Sequence, residues 1–339
     1  MFKKILRSQD GVATGSCGVV RSSMSPFQGG DPGSKSRREH YLQLLIVIKK
    51  RIFRSFLDRK NLKINPLLET YKEYITKIDS ALESELTLYS KSEFMQPLMY
   101  AIEGGKRIRP LILLLAAECI GRVDENAYTA GCAVEFLHTE SVIHDDIIDN
   151  ETSRRHKDPF HIKYGYNASI LTGDFVLGLI LNISSRLNNP RITRDLANTA
   201  MLMSEGEIIE MRLETSQDLT FDDYLKVIEY KTATAFETAA RLGAILGNGS
   251  EDQIIALSEY GRNIGIAYQI RDDLIDWKNE DKLFNLLVKH SLDPRDVFNH
   301  MEKLLKDYAA KATSSLRILP DNDAKSHLEY LLRLTTLKL

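Results

Sequence analysis

The sequence predicts an all-α protein folded as one domain, and three observations carry that expectation. From residue 65 onward apolar residues recur at helical intervals almost everywhere. Several segments are apolar nearly all round, the pattern of helices buried in the middle of a large bundle. Alternating runs of the β type are missing, and no repeat is found apart from one doubled acidic motif.

Residues 1–40 stand outside that bundle. They are rich in Gly and Ser, more basic than acidic, and too poor in apolar residues to offset the entropy of ordering. A disordered or targeting-like extension is expected there, either an organellar transit peptide or an over-long translated start. Residues 41–64 form a basic amphipathic segment with Lys49, Lys50, Arg51, Arg54, Arg59 and Lys60; it lies on an anionic membrane surface or packs loosely on the domain as a solvated helix. The domain proper spans 65–339. Pro66 can open its first helix, with Leu67, Leu68, Tyr71, Tyr74, Ile75 and Ile78 recurring at helical spacing. A segment from Phe94 to Ile102 runs into Gly104-Gly105, and another follows Pro110 up to the turn at Gly121. A long helix starts near Glu125 and carries the first acidic motif. Further helices are expected over about 167–187, 192–213, 221–246, 251–276 and 295–315, with a last one after the turn at Pro320.

The chain has 339 residues, 43% of them hydrophobic and 27% charged, as in a soluble globular protein. A formal net charge of -2 gives no overall drive toward nucleic acid, so an anionic ligand must be held by local basic groups. Cys17, Cys119 and Cys132 have no metal-ligand spacing; the last two lie in apolar helical sequence and read as reduced core residues, which fits a reducing compartment such as the cytoplasm. No unbroken run of about 18 apolar residues appears, which argues against a transmembrane span.

Chemistry concentrates in the doubled motif, His144-Asp145-Asp146-Ile147-Ile148-Asp149 and Gln269-Ile270-Arg271-Asp272-Asp273-Leu274-Ile275-Asp276. Positions i, i+1 and i+4 cluster on one side of a helix, so each copy is expected to aim its carboxylates in one direction. Two such clusters face to face make an anionic pocket that makes physical sense chiefly when cations occupy it. Oxygen donors without sulfur or imidazole suit hard cations, magnesium carrying substrate phosphates above all. Two solvated acidic helix faces are the alternative, and the apolar flanks of both copies weigh against it.

Gly104-Gly105-Lys106-Arg107-Ile108-Arg109-Pro110 follows paired glycines with three cations in four positions, suited to phosphate oxygens, or else a basic helix start on the surface. It is not a Walker loop. Arg154-Arg155 comes shortly after Asp149. His138 lies two helical turns before Asp145 and on nearly the same face, whereas His144 reads as a core residue. Lys231-Thr232 is a buried-looking cation in need of an anion, with Glu229 and Glu237 as candidates. This inventory fits two phosphorylated substrates, one metal-bound and one held by Lys and Arg.

In that order GGKRIRP, HDDIIDNETSRR, the Lys-Thr pair and QIRDDLID resemble the motifs of the trans-isoprenyl diphosphate synthases, the polyprenyl synthetase family, and its geranylgeranyl diphosphate synthases in particular. The resemblance implies an isoprenoid-synthase-type helical bundle around a deep central cavity, a homodimer, and Mg2+-dependent head-to-tail condensation of an allylic diphosphate with isopentenyl diphosphate. It implies that Asp145, Asp149, Asp272 and Asp276 hold magnesium ions bridging the allylic diphosphate, with Asp146 and Asp273 in support. Arg154 and Lys231 then bind the same diphosphate, while Lys106, Arg109, His138 and Arg155 grip that of isopentenyl diphosphate. Thr232 and Gln269 sit near the reacting carbons and the leaving group. Farnesyl-type relatives carry an aromatic residue four or five positions before the first Asp. Here those positions are Ser141 and Glu140, so a C20 (geranylgeranyl) or longer product is expected. Glu140 is atypical of an apolar wall, and Phe136 and Phe175 are either a cavity floor or ordinary core aromatics.

The resemblance lapses after Asp276. Relatives carry a lysine-containing loop, often GKxxGxD, where this chain reads Trp277-Lys278-Asn279-Glu280-Asp281-Lys282-Leu283. Neither Lys278 nor Lys282 has the matching spacing. Two other function classes compete: a non-catalytic regulatory subunit of a heteromeric synthase, favoured only by that altered stretch, and a terpene cyclase, opposed by GGKRIRP and by the DDxxD form of the second motif.

Overall fold

Side-chain caps and prolines mark where this chain turns into helix, as the computed structural model shows over residues 69–154, 157–277 and 282–336. The expectations for residues 1–40 and 41–64, for a helix opening at Pro66, and for Arg155 and Lys278 lie outside the described residues. The helices are α1 (Lys72–Thr87), α2 (Met95–Ile102), α3 (Ile108–Ile120), α4 (Glu125–Ile148), α5 (Phe160–Tyr164), α6 (Tyr166–Arg186) and α7 (Pro190–Leu213). Then come α8 (Phe221–Ile228), a π-helical turn (Glu229–Ala233), α9 (Thr234–Leu246), α10 (Glu251–Asp276), α11 (Leu283–His290), α12 (Pro294–Ser315), a 3-10 turn (Leu316–Ile318) and α13 (Asp323–Thr336). Among the described residues no strand forms, and the one isolated bridge joins Arg154 to Lys157. The predicted all-α class holds.

The ends of the long helices follow from local chemistry. The Asp124 carboxylate accepts from the Ala127 N–H at 3.1 Å and starts α4. Reciprocal capping boxes, Thr220 with Asp223 and Ser250 with Gln253, start α8 and α10. Pro190 and Pro294 open α7 and α12, where a missing N–H costs nothing. Two expectations are corrected. The single helix read over 221–246 is three pieces, because one extra residue is accommodated at the π turn. The short helices α5 and α11 were not expected, being too brief to show a period.

The core forms around α3, whose residues Leu111 to Ala117 are all fully buried between α4, α9 and α13. An all-apolar sequence is what such a central position requires. Cys119 and Cys132 are buried here as expected, and burial pushes their thiols up to about 11 and about 12. Phe136 is fully buried and Phe175 stacks on Phe94 with ring centres 4.6 Å apart, so both are core aromatics. Among the described residues one helix, α6, is long and apolar enough by length and composition to cross a membrane, with a mean hydropathy of 1.5 and 44% of that window buried, but Asp174 interrupts it and no unbroken apolar run of span length forms.

Within the glycine-rich stretch the structure separates one cation from the other two. Arg107 has a left-handed backbone (φ 56) at the N-cap of α3, which turns its side chain inward. There it is buried and paired with Asp79 at 2.7 Å and Glu135 at 2.8 Å. Arg107 therefore ties α1 and α4 to the start of α3 and is not a phosphate group holder. Removing it leaves Glu135 buried without its counter-ion. Arg107→Ala is expected to lower the unfolding free energy by about 3–5 kcal/mol. Urea unfolding measures this, and a loss within the range of a surface substitution would contradict the assignment.

Candidate active site

The last turn of α4 splits the first acidic motif. Successive residues are about 100° apart around a helix, so Asp145 and Asp146 cannot share a direction. Asp146 is buried and accepts from Arg154 Nε at 2.6 Å, with a second contact from the same guanidinium. Asp149, at the C-cap, is exposed. Asp145 lines an apolar cavity of about 350 Å³, together with Ser141, Met203 and Lys231. The expectation that all three carboxylates aim one way is thus corrected: the middle one is anchored sideways by Arg154.

The π turn places Lys231 and Thr232 against different helices. Lys231 Nζ pairs with Glu207 and Glu210 of α7. Neither Glu229 nor Glu237 is its partner; Glu229 instead accepts from Arg262 at 2.9 Å. Burial works against the Lys231 charge, but Glu210, Asp145 and Glu207 together hold its pKa above the ordinary lysine value. The next residue faces α10: Thr232 Oγ1 donates to Gln269 Oε1 at 3.0 Å, and Gln269 Nε2 donates to Asp273 Oδ1 at 2.9 Å. Tyr224 Oη completes the chain by donating to Asp273 Oδ2 at 2.6 Å. One dipeptide therefore connects both acidic motifs.

Two glycines let neighbouring helices approach this turn. A Cβ on Gly206 of α7 would sit 2.8 Å from Lys231 Cγ, and one on Gly265 of α10 would sit 2.7 Å from Ala233 Cα. Any side chain at either position would push the turn away. Glu207, Glu210, Gly206 and Tyr224 were not identified from sequence. Their signals were faint: acidic residues one helical turn apart, a mid-helix glycine, and a Tyr seven positions before the Lys.

The second motif mirrors the first. Asp273, the middle residue, is buried and pushed up to about 6 by that burial, with the Tyr224 and Gln269 hydrogen bonds and the charge of Lys282 opposing the rise. Asp272 is partly exposed, and Arg271 Nη1 lies 3.4 Å from its Oδ1. Asp276 ends α10, and its side chain lies outside the described residues. After it, Trp277 packs edge-on against Phe298, ring centres 5.8 Å apart, and α11 begins at Leu283.

Of the remaining predicted residues, Lys106 reaches α10, its Nζ donating to Tyr268 Oη at 3.2 Å. Burial opposes its charge, while Tyr268 and Asp272 hold its pKa up. The Arg109 guanidinium lies over the Phe236 ring, 4.7 Å from its centre. His138 is half-buried on α4 and its carbonyl accepts from Ser141 Oγ at 2.9 Å. Neither Arg109 nor His138 lines the cavity, whereas Glu140 and Ser141 both do. Glu140 is accommodated in that wall because its Oε1 is 3.0 Å from His144 Nδ1. His144 is half-buried and also lines the cavity, where it had been read as a core residue.

The residues present fit a hard divalent cation that brings its own further ligands. Among the described residues no group of three or more Asp, Glu, His or Cys side chains is arranged to hold a metal ion unaided. Magnesium in phosphate-handling sites is held through one or two carboxylates, with substrate oxygens and water completing the shell. Asp145 could act as such a ligand on giving up its proton to the incoming cation. Burial raises its pKa to about 8, with Lys231 opposing and Glu207 adding to the rise.

Two measurements probe this arrangement. A carboxyl with a raised folded pKa keeps its proton in the folded chain where the unfolded chain has lost it. Its contribution to stability is fully present below about pH 4 and is lost as pH rises toward 8. Asp145→Asn is expected to flatten that decline in metal-free protein followed by thermal unfolding; parallel pH profiles for variant and parent would contradict it. Tyr224→Phe leaves Asp273 Oδ2 buried without its donor and is expected to cost about 1–3 kcal/mol in urea unfolding. An unchanged midpoint would mean that the hydroxyl does not hold Asp273.

Comparison with known proteins converges on one group. A family model described as polyprenyl synthetase matches residues 91–286, more than half of the chain. A geranylgeranyl diphosphate synthase of Methanosarcina mazei is 36% identical over 216 residues, 62% of this chain and 67% of that protein. An octaprenyl diphosphate synthase of Haemophilus influenzae is 37% identical over 174 residues, 51% of this chain and 53% of that protein. The chain thus spans between about half and two thirds of the length of these relatives. A polyprenyl synthase from Caulobacter crescentus, solved in complex with calcium and isoprenyl diphosphate, superposes with a TM-score of 0.71 at 25% identity, covering 80% of this chain and 96% of that one. With both acidic motifs, the Lys-Thr turn and an all-helical frame in place, the chain belongs to the polyprenyl synthetase family.

Proposed function

We propose that this protein is a trans-prenyltransferase. It condenses an allylic diphosphate head-to-tail with isopentenyl diphosphate and releases a product of twenty carbons or more, geranylgeranyl diphosphate being the shortest. One observation carries this reading: the Lys231-Thr232 turn joins both acidic motifs beside an apolar cavity whose lining, among the described residues, includes no Phe, Tyr or Trp. Both relatives bear names of enzymes that make long prenyl diphosphates, which supports the same class.

Asp145, Asp149, Asp272 and Asp276 would hold divalent cations, and the calcium of the Caulobacter complex supports a divalent metal. We propose Mg2+, which when bound neutralises charge building on the departing diphosphate. The chain's own groups do the rest. Lys231, kept protonated by Glu207 and Glu210, offers a fixed positive charge next to Asp145. Lys106 brings a second cation beside Asp272 for the other diphosphate, with Arg109, His138 and Arg155 proposed for the same task. Apolar side chains such as Ile147 and Met203 shield the allylic carbocation, left when its C–O bond to diphosphate breaks, until the second double bond attacks it and forms the new C–C bond; a proton is then lost, with the departing diphosphate as the available base. Ser141 leaves room under the first motif for the growing chain.

We also propose a homodimer. The intact acidic motifs weigh against the regulatory-subunit and cyclase alternatives. Asp145→Ala or Asp272→Ala is expected to abolish condensation, measured with labelled isopentenyl diphosphate and each allylic primer with and without magnesium, while leaving the helical circular dichroism unchanged. Normal product formation by either variant would sink the metal-site assignment.

A further inference from the structure

Lys106 stands in the middle of a short strap whose two ends are pinned by ion pairs. At the far end Arg107 is held by Asp79 and Glu135. At the near end Glu103, the C-cap of α2, accepts from Lys157 Nζ at 2.5 Å. Between them lie Gly104, with a positive φ of 76, and Gly105, where a Cβ would meet Arg107 Nη1 at 2.2 Å. The far end is thus fixed to the helical core, and the backbone before Lys106 takes its path from the near end.

The near end is held by the segment that carries Arg154. Arg154 and Lys157 exchange backbone hydrogen bonds, each N–H donating to the other's carbonyl at 2.9 Å, so the two residues move as one unit. Their side chains reach different anchors, Arg154 the carboxylate of Asp146 on α4 and Lys157 that of Glu103. Tyr100 of α2 tightens the join. Its Oη donates to the Asp158 carbonyl at 2.7 Å, and its ring centre lies 3.5 Å from Lys163 Nζ and 5.0 Å from Lys157 Nζ. With Glu103 66% exposed, the Glu103–Lys157 pair adds little to stability. Its effect is on position: it ties the loop of one phosphate-handling cation to the loop of another.

We infer that Glu103 and Lys157 are positioning residues that couple the two diphosphate sites. This rests on the synthase reading above, which gives Arg154 to the allylic diphosphate and Lys106 to that of isopentenyl diphosphate. An allylic diphosphate that draws on Arg154 draws Lys157 with it, and through Glu103 the glycine strap and Lys106 are set in the same event. The first diphosphate to bind therefore orders both loops, and the second binds a strap already in place. Linkage makes the effect reciprocal, so isopentenyl diphosphate tightens the allylic site by the same factor. Neither residue has to touch a substrate to act in this way.

Calorimetry on the full chain tests the coupling with farnesyl thiolodiphosphate, an analogue whose carbon–sulfur bond ionises far more slowly than the natural ester. It is titrated with Mg2+ present, with and without saturating isopentenyl diphosphate. The ratio of the two dissociation constants is the coupling factor, and it cancels the general pull of any charge added near the site. In the parent a factor of about five or more is expected. Glu103→Lys and Lys157→Glu each set like charges against one another and are expected to bring the factor close to unity. The double variant, with the pair reversed, is expected to restore most of it, which a merely structural contact on the surface would not do. A parent factor near unity, single variants with the parental factor, or a reversed pair no better than the singles overturns the proposal. A parent that forms no prenyl product is the failure of the synthase reading alone, since the titration reads binding and still decides the coupling.

Discussion

A buried ammonium ringed by carboxylates is the constraint on which the rest of the site depends. Lys231 could not be taken out of water without counter-charges; Glu207 and Glu210 pair with it, and Asp145 lies close enough to add to the field when ionised. Conversely, three acids that close would not remain together without it. Because its anchors sit on α4 and α7 while the Lys belongs to the turn between α8 and α9, one ionic cluster sets the spacing of the helices around the cavity mouth. The neighbouring Thr232 extends that control to α10 through Gln269. Adjacent helical residues point apart, and here the two meet α7 and α10 respectively.

Within each acidic motif the labour is divided in the same way. The middle carboxylate is drawn into the protein, Asp146 by Arg154 and Asp273 by Tyr224 and Gln269. Its outer neighbours are left nearer the site. The buried pairs fix the direction of the helix ends, and the outer carboxylates are left for the proposed divalent cations, which they would hold with the substrate diphosphate. Arg154 is thus committed to Asp146 before any substrate arrives, so its proposed contact with the allylic diphosphate would have to share that carboxylate.

Much of this was legible in the sequence, for reasons that differ by element. The bundle could be read because long amphipathic and all-apolar segments advertise their period; α10 was placed over 251–276 from pattern and capping residues alone. The acidic motifs could be read because their spacing is itself the signal. Arg107 was misjudged because its role depends on one left-handed backbone angle that composition does not encode. Glu207 and Glu210 escaped because their meaning arises only when α7 meets the π turn, a tertiary event. The π turn left no compositional trace, since one extra residue in a helix changes register and not content. The stretch after Asp276 stays unmatched at the level of motif, although Lys282 carries a charge that Asp273 feels.

The position of Trp277 has a practical corollary. It is the chain's single tryptophan, it follows Asp276 directly, and it leans edge-on against Phe298. Indole emission is sensitive to nearby charge and to ring packing, so the protein carries a built-in optical probe one residue from its second acidic cluster. Filling of that end of the site can be followed by intrinsic fluorescence, without a label and without turnover.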